Sequence, residues 1–168
     1  MQPIYPCVWL DDQAEPAAEF YASVFDDVRT IQVQRYRGER VAEVSKKPEG
    51  SVVAVLIEIN GQRLMLLNGG PVFTPNEAVS LVAPCDDQAE LDRVWDALTA
   101  DGGEPGPCGW LKDRFGLSWQ IVPASLNEMS DDSDPERAAR VMDAVMGMHK
   151  IDEATLRDAY EGRARSPT

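Results

Sequence analysis

Five residues of this 168-residue chain occur twice, letter for letter. Asp11-Asp12-Gln13-Ala14-Glu15 returns as Asp86-Asp87-Gln88-Ala89-Glu90, an offset of 75 from 11 to 86. At the same offset Phe20 falls on Trp95, so an aromatic takes one place in both copies. Helix-capping chemistry selects Asp and Glu at such points but does not select the Gln-Ala between them. Self-similarity at a fixed period is the mark of a duplicated supersecondary unit. A fold for this chain must therefore hold two related modules, each running from a strand through an Asp-rich turn into a helix.

The rest of the pattern fits that frame. In the first module residues 4–10 read as a strand, and Ala14, Ala17, Ala18, Tyr21, Val24 and Phe25 recur at helical spacing. Asp12 with Glu15 predicts a capping box, and Pro16 sits close enough to the helix start to be tolerated. Residues 30–36 alternate Ile31 and Val33 with Gln32 and Gln34, as a half-buried strand does. An exposed connection is expected at Lys46-Lys47-Pro48-Glu49-Gly50. Residues 52–59 are almost wholly apolar, Asn60-Gly61 follows, and Leu64-Met65-Leu66-Leu67 comes next. Asn-Gly between two such runs predicts a hairpin, because both central residues of a type I′ turn need a positive φ.

After Asn68-Gly69-Gly70-Pro71 the order begins again. Residues 79–83 read as a strand, and Leu91, Val94, Trp95 and Leu98 mark one helix face stopped by Gly102-Gly103. Residues 109–112 and 117–122 form paired strands around Asp113-Arg114-Phe115-Gly116, and Pro123 ends the second. From Asp134 the chain turns helical. Ala138, Val141, Met142, Val145 and Met146 make one stripe, and Leu156 with Tyr160 another after a break at Asp152. Met-rich stripes of this kind pack into a core or a subunit interface, so the two helices are expected against the sheet or a partner subunit.

Composition narrows the function classes. The length suits a single domain, residues 1–168. No run approaches the roughly 18 consecutive apolar residues of a membrane span. The first residues carry no basic and apolar leader pattern, which makes the cytoplasm the expected compartment. A formal net charge of −13 argues against nucleic-acid phosphates as a partner. Cys7, Cys85 and Cys108 are too few and too widely spaced for a disulfide framework or a zinc ribbon. They read as small buried thiols, with Cys85 the one to watch because it precedes a helix start, where a dipole can lower a thiol pKa.

The opening Cys7-Val8-Trp9-Leu10-Asp11 through Ala17-Ala18-Glu19-Phe20-Tyr21, and the closing 113–123 that ends Ser118-Trp119-Gln120-Ile121-Val122-Pro123, resemble the vicinal oxygen chelate superfamily. That group includes glyoxalase I, extradiol dioxygenases and bleomycin-resistance proteins. Asn68-Gly69-Gly70-Pro71, Asn76-Glu77-Ala78, Cys108-Gly109-Trp110-Leu111-Lys112-Asp113 and Lys150-Ile151-Asp152 look like its PhnB-like branch. That branch is often labelled a 3-demethylubiquinone-9 3-methyltransferase domain, and the likeness spans roughly residues 3–160. The resemblance implies an α+β fold: two βαβββ modules, 1–71 and 72–124, forming open half-barrels around a cleft. A helical C-terminal extension, 125–168, completes it, and a homodimer is implied.

Metal-dependent members of the superfamily bind a divalent ion through His, Gln or Glu on the first and last strands of the modules. Carried over residue by residue, those places hold Gln120, Met65, Ile4 and Tyr5, and Val79 and Ser80. The single histidine, His149, falls near the end of a C-terminal helix, where contact with the helix dipole is the expected role. An amide, a thioether and a hydroxyl make a poor site for such a cation, so no metal and no other cofactor is expected. The methyltransferase label lacks a glycine-rich turn after the first strand, where Leu10-Asp11-Asp12 stands instead. Trp9, Asn68, Glu77, Ser80, Trp110, Lys112 and Gln120 remain as candidate ligand-binding residues, with Glu77 the candidate acid–base or cation-binding group. The expected function is metal-free binding of a small molecule, cationic or aromatic. The alternatives are a metal-dependent isomerase, lyase or dioxygenase of the same superfamily, and an S-adenosylmethionine methyltransferase, which the missing turn disfavours.

Overall fold

A computed structural model describes residues 1, 3–38 and 47–163, and Lys46 of the expected connection lies outside them. The chain divides into two compact units, Met1–Pro75 and Asn76–Thr168. No helix among the described residues is long and apolar enough to cross a membrane.

The first unit runs β1 (Cys7–Leu10), α1 (Ala14–Val24), β2 (Val28–Arg35), β3 (Val52–Ile59) and β4 (Gln62–Asn68). Its sheet has the order β1-β4-β3-β2, with β1 parallel to β4 and the other neighbours antiparallel. The hairpin forms as Asn60-Gly61 predicts: φ is 46° at Asn60 and 80° at Gly61, and Ile59 pairs with Gln62. α1 buries Ala14, Ala17, Ala18, Tyr21 and Val24. The sheet face beneath it carries Val55, Ile57, Leu64 and Leu66, none more than 2% exposed. Three alanines on the buried stripe let the helix backbone approach the sheet closely.

Two expectations are corrected here. β2 forms, but it is not half-buried: Ile31 and Val33 stay 40% and 41% exposed. β2 is the edge strand, and its pairing with β3 slips between Thr30 and Gln32, so a bulge at Ile31 interrupts the alternation. The capping box at Asp12 does not form either. α1 begins after Gln13 without a side-chain cap from its own turn, and its leading Ala14 N–H donates to Asn68 Oδ1 at 2.8 Å. Asn68 Nδ2 in turn donates to the Val52 carbonyl at 3.2 Å. Asp12 instead faces Lys47 Nζ at 3.2 Å.

The second unit runs β5 (Ser80–Cys85), α2 (Gln88–Thr99), β6 (Glu104–Pro105), β7 (Trp110–Lys112), β8 (Ser118–Pro123), α3 (Leu126–Ser130), α4 (Pro135–Met146) and α5 (Glu153–Tyr160). β6 and α3 are short elements that periodicity could not mark. The sheet order is β5-β8-β7-β6, again with one parallel pair, β5 and β8. Here the repeated pentapeptide does cap its helix, in a variant of the capping box whose Glu reaches the residue before the cap. Asp87 Oδ1 accepts from Glu90 N at 2.9 Å, and Glu90 Oε2 accepts from Asp86 N at 2.7 Å. Leu91, Val94, Trp95 and Leu98 are buried as predicted.

The C-terminal helices are part of this unit. Asp134 and Asp152 cap α4 and α5, accepting from Glu136 N at 2.9 Å and Thr155 N at 2.7 Å. Arg140 on α4 donates to the Ala159 and Tyr160 carbonyls at 2.8 and 2.9 Å, closing the end of α5. Gln88 ties α5 to α2: its Oε1 accepts from Glu153 N at 2.7 Å and its Nε2 donates to the Ile151 carbonyl at 3.1 Å. The stripe on α4 is split. Val141 and Val145 are buried, whereas Met142 and Met146, one residue further round the helix, are 47% and 70% exposed.

Asn68→Ala removes the acceptor for α1's first N–H and leaves the buried Val52 carbonyl short of a donor. It should cost about 2 kcal/mol in urea unfolding, on the scale of a lost cap plus a lost buried hydrogen bond. Asp12→Ala should shift stability by less than about 0.5 kcal/mol, as for an exposed pair.

Candidate functional site

The open face of the second sheet is set by a single turn. Asp113 is 2% exposed; its Oδ1 accepts from Phe115 N at 2.9 Å and Leu117 N at 3.1 Å, and its Oδ2 accepts from Trp119 Nε1 at 2.9 Å. Gly116 takes the positive φ of 81° that the turn requires. With this turn fixed, Lys112 pairs with Ser118 and Trp110 with Gln120. Paired residues of neighbouring strands share a face. Leu111, Trp119 and Ile121 therefore point into the core with α2, and Trp110, Lys112, Ser118 and Gln120 point away from it. The parallel neighbour adds Ser80, in register with Ser118.

A second turn shapes the rim. Cys108 and Gly109 both have positive φ, 58° and 79°. Their N–H groups donate to the Met148 and His149 carbonyls, each at 2.7 Å. A Cβ on Gly109 would lie 2.8 Å from the Ile121 carbonyl oxygen, so only glycine fits. His149 lies beyond the α4 cap at Gly147, and its Nδ1–H donates to the Gly106 carbonyl at 3.0 Å. That bond, rather than the expected helix-end contact, is its role, and it pins the segment between β6 and β7.

Between these turns lies a cavity of about 410 Å³, lined by Glu77, Glu104, Cys108, Trp110, Lys112 and Ser118 among others. Glu77 and Lys112 form an ion pair at its mouth, with side chains 60% and 34% exposed. The hydrogen bond from Lys112 holds the Glu77 carboxyl below its usual range, and the same bond raises Lys112. Deeper in, Ser118 is 1% exposed and its hydroxyl has no hydrogen-bond partner. A buried hydroxyl without a partner costs about 1–3 kcal/mol, so it is a group in want of one.

The seven sequence candidates separate. Glu77, Trp110 and Lys112 line the cavity. Ser80 and Gln120 share the open face but engage each other, Gln120 Nε2 donating to Ser80 Oγ at 2.9 Å. Trp9 and Asn68 belong to the first unit. Trp9 Nε1 donates to the Gly70 carbonyl at 2.8 Å, and its ring meets Phe73 edge-on at 5.0 Å. A Cβ on Gly69 would fall 2.1 Å from that ring, so Gly69 admits the indole, while Gly70 takes a positive φ of 83°. Asn68 is the buried cap of α1. Ser118, Glu104 and Cys108 line the cavity without having been singled out as candidates. Alternation along residues 117–122 puts Ser118 on the same face as Gln120, and that is the signal the sequence offers.

The donor set does not suit a metal ion. Gln120 presents an amide already bonded to Ser80, and the corresponding place in the first unit is the thioether of Met65. Among the described residues no three His, Cys, Asp or Glu side chains cluster as ligands would. At Cys85 the dipole does not prevail: burial, with Glu90 next in weight, pushes its thiol up to about 12. Only 2% of the residue is exposed, and loss of solvation outweighs the helix dipole.

Two outcomes follow from this geometry. Asp113→Asn places an amide among three donors and should cost about 3 kcal/mol in chemical denaturation, in the range for a broken buried polar network. It should also lower affinity for any ligand of the cavity. Cys85 should resist alkylation in the folded chain at mildly alkaline pH, while exposed Cys7 reacts. Because folded Cys85 keeps its proton and the unfolded thiol loses it above its ordinary 9.0, stability should fall as pH rises from 9.0 towards about 12. Cys85→Ala should flatten that decline.

Comparison with known proteins agrees with this architecture. The family model described as 3-demethylubiquinone-9 3-methyltransferase matches residues 2–122. A solved Bacillus cereus structure titled a putative 3-demethylubiquinone-9 3-methyltransferase, PhnB protein, is 30% identical, with a TM-score of 0.61 over 73% of this chain and 100% of that one. A Pseudomonas aeruginosa protein structure is 18% identical, with a TM-score of 0.53 over 71% of this chain and 95% of that one. The fosfomycin resistance protein FosX from Listeria monocytogenes is 14% identical, with a TM-score of 0.53 over 76% of this chain and 94% of that one. No curated protein matches.

Proposed function

We propose, for a chain that belongs to the 3-demethylubiquinone-9 3-methyltransferase family, a function as a metal-free small-molecule-binding protein of the vicinal oxygen chelate fold. The ligand occupies the cavity over β7 and β8, and the observation that carries this reading is the orphaned Ser118 hydroxyl in a cavity that Trp110 also lines. An open cleft of this volume with one aromatic wall and a few polar groups suits a small planar ligand. Exposed Met142 and Met146 on α4 of the second unit, and separately exposed Ile31 and Val33 on β2 of the first, are apolar side chains that support a homodimer. The compartment is the cytoplasm.

The activity in the family's name finds little support in the geometry. Doubly wound parallel sheets bind nucleotide-like cofactors at a switch point beyond their strand ends, beside a glycine-rich turn. Each sheet here has four strands and one parallel pair. The strand–helix turn of the first unit carries Asp11 and Asp12, and its leading helix N–H is already taken by Asn68.

Chelator-treated protein should show no thermal shift with Mn²⁺, Ni²⁺, Co²⁺ or Zn²⁺, and equilibrium dialysis should find no bound S-adenosylmethionine at millimolar concentration. A planar organic ligand at about 100 times its dissociation constant should instead stabilise the chain by roughly 2.7 kcal/mol. Trp110→Ala should abolish that gain. A metal-dependent rise in Tm, or a ligand whose effect survives Trp110→Ala, would sink the reading.

A further inference from the structure

Lys112 and Ser118 are register partners on adjacent antiparallel strands, and both face the cavity. Lys112 offers an ammonium whose contact on that side is the Glu77 carboxylate, and Ser118 offers a buried hydroxyl with no partner. Glu77 comes from the segment before β5, outside any regular element, and it is the more exposed member of the pair. An ion pair this near solvent contributes little net stability, so another carboxylate that arrives with a ring attached can take the place of Glu77 on Lys112. Trp110, two residues from Lys112 on the same strand and face, supplies the surface for that ring.

We propose that this cavity selects planar carboxylic acids, with Lys112 and Ser118 binding the ligand carboxylate and Glu77 holding the Lys112 ammonium, but not Ser118, when no ligand is present. The proposal rests on the small-molecule reading given above and specifies its ligand class. An ammonium and a hydroxyl carried by register partners on one face can each donate to one oxygen of a carboxylate, with charge-assisted hydrogen bonding from the ammonium. Glu104, the other carboxylate of the lining, lies on the strand paired with β7, opposite Lys112. It sets the selectivity against a second negative charge, so monoanions are taken in preference to dianions. A cationic ligand would meet the Lys112 ammonium, which already occupies the Glu77 carboxylate.

The test uses the full-length chain and three matched probes, benzoate, benzamide and benzylammonium, followed by ligand-detected NMR titration. Benzoate should bind about tenfold more tightly than benzamide or benzylammonium, the gain of one charge-assisted contact. Lys112→Gln should erase that preference, and Ser118→Ala should weaken benzoate several-fold while leaving benzylammonium unaffected. Glu77→Gln removes the internal competitor, so benzoate affinity should rise. Equal binding of benzoate and benzamide, both lost in Trp110→Ala, would overturn the carboxylate selectivity and leave small-molecule binding standing. A fall in benzoate affinity on Glu77→Gln would overturn the displacement role. Absence of binding by all three probes would overturn this proposal and count against the cavity as a ligand site.

Discussion

The open face of the second unit depends on the carboxylate of Asp113. Three donors converge on it: two backbone N–H groups of its own turn and the indole of Trp119. A buried acceptor of this kind allows few alternatives, because each unpaired donor would carry a desolvation cost in a low-dielectric interior. It therefore fixes the length of the β7–β8 turn and, with it, the parity of β8. A slip of one residue would send Ser118 and Gln120 into the core and bring Trp119 and Ile121 out. The placement of Lys112 beside Ser118 follows from that parity.

Much of the architecture was legible in the sequence because it rests on local rules. Asn60-Gly61 encoded its hairpin through backbone sterics, and Leu91, Val94, Trp95 and Leu98 encoded a helix face through period alone. Asp134 and Asp152 marked the two C-terminal helix starts for the same reason. What escaped was decided by tertiary partners. Asp11-Asp12-Gln13 and Asp86-Asp87-Gln88 are identical strings, yet Asp87 caps its helix and Asp12 does not. Asn68, distant in sequence, supplies the acceptor in the first unit, and Gln88 is recruited to hold α5 in the second. A duplicated sequence thus preserved the element order while its side chains took up different duties.

The candidate site divides along the same line. Alternation along residues 117–122 was enough to separate the Gln120 face from the Trp119 face. It could not reveal that Ser80 would satisfy Gln120, or that Lys112 would claim Glu77, since both are contacts between strands or segments remote in sequence. Ser118 went unnoticed for a related reason. Serine in a strand is ordinary, and its significance lies in a hydroxyl left without a partner once every neighbour is in place. Cys85 shows the converse, where a local rule about helix dipoles bears on a group that burial dominates.

The two sides of the cavity differ in how firmly they are held. Trp110, Lys112 and Ser118 stand on strands locked by the Asp113 turn and by the Cys108-Gly109 contacts with the α4–α5 connection. Glu77 stands on a segment without regular structure and meets Lys112 near solvent, where an ion pair contributes little to stability. A preorganised wall faced by an exchangeable side chain is suited to binding, because the cost of opening the site is small and the geometry that receives the ligand does not have to form. The acidic surface then has a function of its own. At a net charge of −13 the bulk of the chain repels anions, so affinity for a carboxylate must come from direct contact at Lys112 and Ser118 rather than from long-range attraction. Such a site favours ligands that fill the cavity and present one negative charge, and excludes those that carry several.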